Sequence, residues 1–231
     1  MLLKNRIKGG IFGLACGDYI GMPFEFKSSE AVNLYLDSNG LRPETIWRAN
    51  LNTVGYYTDD TAMMLCLAKS LIDKGFDVED QFAKYKKWAF EGNMSADGKT
   101  AFGIGQNTLN KMFTQTEIPS ELVNNEREGG NGALMRCLPI GLFYYKDIRT
   151  IVDYSIKSTL VTHNNTIAVW CCAVYNALIA KVLLNVSKED LLPSLEKEYF
   201  YNEIPTEILN VTNDIRNKTN KPINSRGYSL L

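Results

Sequence analysis

Residues 166–184 run apolar with hardly a break, from Thr166 through Trp170, Cys171 and Cys172 to Leu184, and hold neither glycine nor proline. A run of this length without breakers reads as a helix, and one apolar on most sides must be enclosed by other elements. Asn176 and Lys181 interrupt it. It is therefore read as a central buried helix rather than a membrane span.

The rest of the chain reads as helices too. Residues 7–20 place Ile7, Ile11, Leu14 and Ala15 on one face, with Gly10, Gly13 and Gly17 allowing close backbone approach. That glycine spacing follows no strand, so a dinucleotide fingerprint is rejected. Met63, Met64, Leu67, Ala68 and Leu71 recur at three- and four-residue spacing, and Lys74-Gly75 supplies a basic last turn with a glycine stop. Further helices are expected over 77–90, 101–112, 131–143, 148–158, 187–197 and 205–217. Ser187-Lys188-Glu189-Asp190 resembles a capping box, and Pro205 suits a first helical position. Residues 26–57 are irregular and rich in turn formers, a length of loop that is usually functional or mobile. No strand, repeat or linker stands out. The expectation is an all-α fold in one domain, 1–231.

Composition narrows the function classes. The chain has 231 residues, 45% of them hydrophobic, enough for a sizeable core, and a net charge of −1. Without a lysine and arginine stripe, nucleic-acid binding by electrostatics is not expected. The densest basic cluster, Lys84, Lys86 and Lys87, surrounds Tyr85 and Trp88 and reads as the solvated side of an amphipathic helix. The five cysteines, Cys16, Cys66, Cys137, Cys171 and Cys172, form no C-x-x-C and are odd in number. A reduced, cytoplasmic setting is expected, and structural zinc is not. Met1 to Arg6 lacks the order of a signal peptide. No membrane partner is expected, and the oligomeric state stays open.

Thr58-Asp59-Asp60-Thr61 sets two adjacent carboxylates between two hydroxyls at the start of a helix. One reading is plain: Thr58 is an N-cap, and the two acids favour the positive end of the helix dipole. The other is chemical, because these hard oxygen donors suit magnesium. Three more motifs accompany this one. They are Gly13-Leu14-Ala15-Cys16-Gly17-Asp18-Tyr19-Ile20-Gly21-Met22-Pro23-Phe24-Glu25, then Gly130-Asn131-Gly132-Ala133-Leu134-Met135-Arg136, then Thr162-His163-Asn164. In this order, from Ile7 to Tyr228, they resemble the ADP-ribosylglycohydrolase family.

The resemblance implies a compact, orthogonal multi-helix fold and a magnesium-dependent (manganese being the alternative ion) hydrolase that cleaves ADP-ribose from a protein side chain or a small molecule. It implies Thr58, Asp59 and Asp60 as metal ligands, and Glu25, Asp59 and Asp60 as the catalytic set. Gly103, Gly105, Asn131, Gly132 and His163 are the implied substrate-binding residues. Glycine 103 stands where members acting on arginine-linked ADP-ribose often carry aspartate, which leaves that acceptor open. The Gly-Asn-Gly loop by itself reads as a turn with an N-cap, and glycine there also lets backbone amides approach an anion. Arg136 is expected to hold that loop rather than touch substrate, with Met135 and Leu138 in the core. His163, the single histidine, either caps backbone or, by the resemblance, lies near the diphosphate or ribose.

One departure is specific. The family's two-metal site is completed by a second acidic cluster, Asp-x-Asp-Thr, beyond a Gly-Tyr pair. This sequence closes on Gly227-Tyr228-Ser229-Leu230-Leu231, and Asp153, Asp190 and Asp214 stand singly. The expectation is a fold without the family's final helices, a second metal site left incomplete, and crippled catalysis. The alternative is an ADP-ribose-binding or crystallin-like scaffold member.

Overall fold

The computed structural model describes residues 2–39 and 55–216. Among them the secondary structure is helical throughout: α1 Leu3–Gly21, α2 Ser29–Asn39, α3 Asp59–Lys74, α4 Val78–Glu91, α5 Gln106–Thr114, α6 Leu138–Phe143, α7 Ile148–Leu160, α8 Thr166–Leu183 and α9 Thr206–Arg216. Short 3-10 turns occupy Met22–Phe24, Glu126–Glu128, Pro193–Lys197 and Tyr201–Glu203.

Helix α8 is the central element. It packs most extensively against α7, then against α6, with α1 and α9 at its flanks. Its length and composition would also suit a membrane span, yet most of it is enclosed by protein. The two polar residues inside it are matched. Asn176 Nδ2 donates to Ser155 Oγ at 2.9 Å, and its Oδ1 accepts from the Gly141 N–H at 3.2 Å. Lys181 pairs with Glu198. Gly141 is glycine for a steric reason, because a Cβ there would lie 2.9 Å from both the Asn176 carbonyl and its side-chain oxygen.

Two apolar clusters follow from this arrangement. Trp170, Ala173, Val174 and Ala177 of α8 bury against Val152, Leu195, Phe200, Ile204 and Ile208. The second cluster joins Met63, Leu67 and Leu71 of α3 to Phe82, Tyr85 and Trp88 of α4, with Met112, Ile140 and Val161. Tyr85 and Trp88 thus form the buried face expected of α4, while Lys84 lies outside in ion pairs with Asp80 and Asp73 at 2.8 and 3.4 Å. Ile7, Ile11 and Leu14 lay α1 on Leu138, Leu142 and Leu183.

Several boundaries differ from the sequence reading. The helix expected over 131–143 begins only at Leu138, with turns before it. Pro139 stands at its start and suits a first turn. Residues 187–197 form no α-helix. Ser187 does cap Asp190, whose N–H donates to Ser187 Oγ at 3.2 Å, but Pro193 follows and the chain passes into a 3-10 turn. Residues 101–105 are extended or bent, and α5 starts at Gln106. The irregular 26–57 stretch contains α2, and residues 40–54 of it lie outside the described residues. Of the three glycines credited with close approach, only Gly10 meets neighbours, Leu138 and Leu142; a Cβ at Gly13 or Gly17 would meet nothing within 4 Å. The family's Gly-Tyr pair at Gly227 and Tyr228, and the end of the helix expected to reach residue 217, lie outside the described residues.

Candidate functional site

A cleft of about 1270 Å³ opens where the start of α3 faces the residues leading into α5, the 130–132 loop and the start of α8. Glu25, Asp59, Asp60, Gly103, Gly105, Asn131, Gly132 and His163 all line it. Eight residues spread over 139 positions of sequence are thereby brought to one surface. Thr58 is the exception. Buried, it lies behind the wall, and its side chain does not cap its own helix.

The cap comes from α1. Asp18 Oδ2 accepts from the N–H groups of Thr58 and Thr61 at 2.9 and 3.1 Å and from Thr61 Oγ1 at 2.6 Å, while its Oδ1 accepts from Thr58 Oγ1 at 2.6 Å. Orphan donors at a helix start need such a partner. The plain N-cap reading of Thr58 is therefore corrected: its hydroxyl serves Asp18, forty residues away. Asp18 stood in the Gly-Asp motif without a role, and only tertiary packing discloses one.

Crowded acids dominate the electrostatics of this wall. Burial, then the neighbouring Asp60, raise the Asp59 carboxyl to about 8. Burial, then Asp18, raise Asp60 to about 6. Glu25 is also raised, by burial and by Asp18. No lysine or arginine among the described residues forms an ion pair with any of the three. Uncompensated carboxylates beside a hydroxyl oxygen are donors of the kind a hard divalent cation takes. Thr58, Asp59 and Asp60 fit part of such a shell, although no group of three or more His, Cys, Asp or Glu side chains among the described residues is arranged to hold a metal.

The opposite wall is built from backbone. Gly103 sits at φ +77°, and a Cβ there would lie 2.4 Å from Asp59 Oδ1. A side chain at 103 would have to displace the Asp59 carboxylate and would sit on strained backbone. Gly105 starts α5 without a side-chain cap, leaving the amides of Gln106 to Thr108 at the cleft. Asn107 Nδ2 donates to the carbonyls of Arg127 and Gly129 at 3.1 and 3.2 Å and so ties the next loop to α5. A Cβ on Gly132 would lie 2.8 Å from His163 Cε1 and 3.1 Å from Thr108 Oγ1, so glycine lets loop, histidine and α5 close up.

Arg136 holds this loop from beneath. It is 1% exposed, donates to the carbonyls of Gly132 at 3.0 Å and Ser158 at 3.3 Å, and lies over the Tyr85 ring at 4.5 Å. Its expected supporting role is what the geometry shows. Leu138 is core as expected, but Met135 is only partly buried and reaches the cleft. His163 is buried, and desolvation followed by the Arg136 charge drives its pKa down to about 3. It is a neutral imidazole. Its Nδ1 lies 2.8 Å from Thr162 Oγ1, and when that hydroxyl donates, Nε2 carries the ring proton beside Gly130 and Gly132.

Phe24, Phe26 and Ser28 also reach the cleft, and the sequence reading singled out none of them for a site role. Phe26 is 94% exposed at φ +60°, a strained position for a bulky residue.

Among the described residues, a helical framework sets an acidic helix mouth against glycine-built loops. The chain belongs to the ADP-ribosylglycohydrolase family, whose model matches residues 1–225. It is 29% identical over 220 residues to an uncharacterized protein of Archaeoglobus fulgidus, covering 94% of this chain and 68% of that one. It is also 29% identical over 229 residues to the ADP-ribosylarginine hydrolase Tri1 of Pseudomonas putida, covering 97% of this chain. The chain spans 58% of that relative's length. A solved structure titled ADP-ribosylglycohydrolase-related protein complex superposes with a TM-score of 0.59 at 25% identity, covering 82% of this chain and 60% of that one.

Proposed function

We propose that this chain binds ADP-ribose in the cleft and acts on the glycosidic bond between ADP-ribose and an acceptor group. The observation that carries the reading is the facing of two chemically different walls. Crowded carboxylates line one side, and free backbone amides with a neutral imidazole line the other.

The second wall suits the diphosphate. Amides at the start of α5 and in the 130–132 loop offer donors to an anion without a side chain in the way. His163 adds one neutral N–H donor. The ribose then points toward Asp59, Asp60 and Glu25. Cleavage at the anomeric carbon passes through an oxocarbenium-like state, and a carboxylate such as that of Glu25 stabilises it or accepts a proton from the attacking water. Thr58, Asp59 and Asp60 are the residues that would hold magnesium. When bound, the ion supplies positive charge against the ribose hydroxyls and a more acidic water.

A binding-only reading is kept on one observation, the lack of three grouped His, Cys, Asp or Glu metal ligands among the described residues. Thermal shift with ADP-ribose, AMP and ribose tests the binding reading, which expects ADP-ribose to raise the melting temperature most. Release of ADP-ribose from arginine-linked, serine-linked and O-acetyl substrates, with magnesium or with chelator, separates the two readings. The hydrolase reading expects release that chelator abolishes. Robust magnesium-dependent release would overturn the binding-only alternative.

A further inference from the structure

Gly129, Gly130 and Gly132 leave the 129–132 loop with almost no side chain of its own to fix its course along the cleft. Its far end is fastened where Arg136 donates to the Gly132 carbonyl. Its near end is fastened from two sides. Asn107 of α5 holds the carbonyls of Arg127 and Gly129, and the residue between them, Glu128, gathers three donors on its carboxylate. Oε2 accepts from the Asn164 N–H at 2.9 Å, and Oε1 accepts from Asn125 Nδ2 and pairs with Lys111 Nζ of α5, both at 2.8 Å. Asn164 directly follows His163 and is itself clamped: its Oδ1 accepts from the Val123 N–H at 2.8 Å, its Nδ2 donates to the Glu121 carbonyl at 3.1 Å, and its carbonyl accepts from the Asn125 N–H at 2.6 Å. Residues 121–128 are thereby strapped to the start of α8.

We propose that Glu128 is a positioning residue for the cleft: its carboxylate pins the near end of the 129–132 loop to α5 and to the residue after His163, so that the loop meets a ligand already in place. The inference rests on the reading of the cleft as an ADP-ribose site. It adds that the glycine wall is set from behind, by a carboxylate that, like Lys111 and Asn164, does not line the cleft. The pinned position is a close one, because a Cβ on Gly132 would lie 2.8 Å from His163 Cε1. A glycine loop left loose at one end has to be ordered by the ligand, and that ordering subtracts from affinity.

Glu128→Gln keeps the shape but turns an NH2 toward either the Asn164 N–H or the Lys111 and Asn125 donors, so one tie is lost. Two readouts test it. Calorimetric titration with ADP-ribose, well below the melting temperature, is expected to show affinity about tenfold weaker, which corresponds to a loop in its binding position about a tenth of the time. The second readout needs no ligand. His163 is the single histidine, so the proton on its Cε1 gives one nuclear magnetic resonance signal, and the Overhauser effect between it and the Gly132 Hα protons reports how close the loop lies. That effect is expected in the parent chain and is expected to weaken in Glu128→Gln. A strap that serves stability alone predicts a lower melting temperature with ADP-ribose affinity and the Overhauser effect unchanged.

Lys111→Met is the second variant, needed in case Glu128→Gln does not fold. It removes only the partly exposed ion pair to α5 and leaves the Asn164 tie in place, so the expected loss is smaller, about threefold, with the Overhauser effect weakened in the same direction. Parent-like affinity and an undiminished Overhauser effect in whichever of the two variants folds would overturn the inference. The functional reading fails separately. If the parent chain takes up no ADP-ribose, that reading falls, and the Overhauser effect alone then decides whether Glu128 places the loop.

Discussion

At position 103 the backbone stands at φ +77° with the Asp59 carboxylate against it. Gly103→Ala adds left-handed strain of about 1–3 kcal/mol and forces Asp59 to move. ADP-ribose binding and any turnover are expected to fall together, which calorimetric titration beside an activity assay would show. His163 sets a pH dependence. Its folded pKa, about 3, lies far below the ordinary histidine value of 6.5. A depressed pKa means that the unfolded chain binds the proton more readily, so the stability is present above pH 6.5 and is lost as pH falls toward 3. His163→Gln should flatten the melting temperature between pH 6.5 and 4. A slope unchanged by the substitution would show that the imidazole titrates freely.

Among the elements, α6 and α8 meet most tightly at Gly141 and Asn176. Gly141→Ala pushes a methyl to 2.9 Å from backbone that cannot yield easily. A loss of about 1–3 kcal/mol is expected, roughly 2–10 °C in melting temperature for a chain of this size. Asn176→Ala should cost a similar amount by leaving the Gly141 N–H and Ser155 without a partner; thermal denaturation reads both. The same elements show what periodicity could and could not disclose. Residues 63–74, 77–90 and 148–158 were legible because one apolar face repeats and a cap or stop brackets it, and 166–184 because it is long, apolar and free of glycine and proline. The turn before α6 was not, since Ala133, Leu134 and Met135 carry a helix-like pattern while Arg136 fastens the chain as a loop through Gly132 and Ser158. Residues 187–197 misled in the opposite way: the cap is real, and Pro193 three residues later ends the pattern.

Across the whole molecule, packing is uneven. Eleven residues of α8 are buried, whereas α1 buries none and leaves Phe12 and Cys16 exposed. Amide hydrogen exchange should therefore be slowest in α8 and α7 and faster along α1, since local opening follows the amount of buried contact. Protection of α1 equal to that of α8 would mean that its outward face is covered in solution. Because Asp18 belongs to α1, opening of that helix should also loosen the start of α3, and the amides of Thr58 and Thr61 should exchange with α1 rather than with the body of α3.

The sequence by itself determined most of the helical segments, that the helix at 166–184 lies at the centre, and which four motifs stand together in order. These are local matters, written in side-chain period, turn residues and motif order. Tertiary structure decided the rest. It brought Glu25, Asp59, Gly103, Gly132 and His163 to one cleft, and set against position 103 a carboxylate forty-four residues away in the chain that a side chain there would have to displace. It held His163 neutral by burial beside Arg136 and gave the cap of α3 to Asp18 rather than to Thr58. The physical reason is common to these cases: desolvation, steric exclusion and the destination of a single proton depend on neighbours in space, and spacing along the chain carries no record of them.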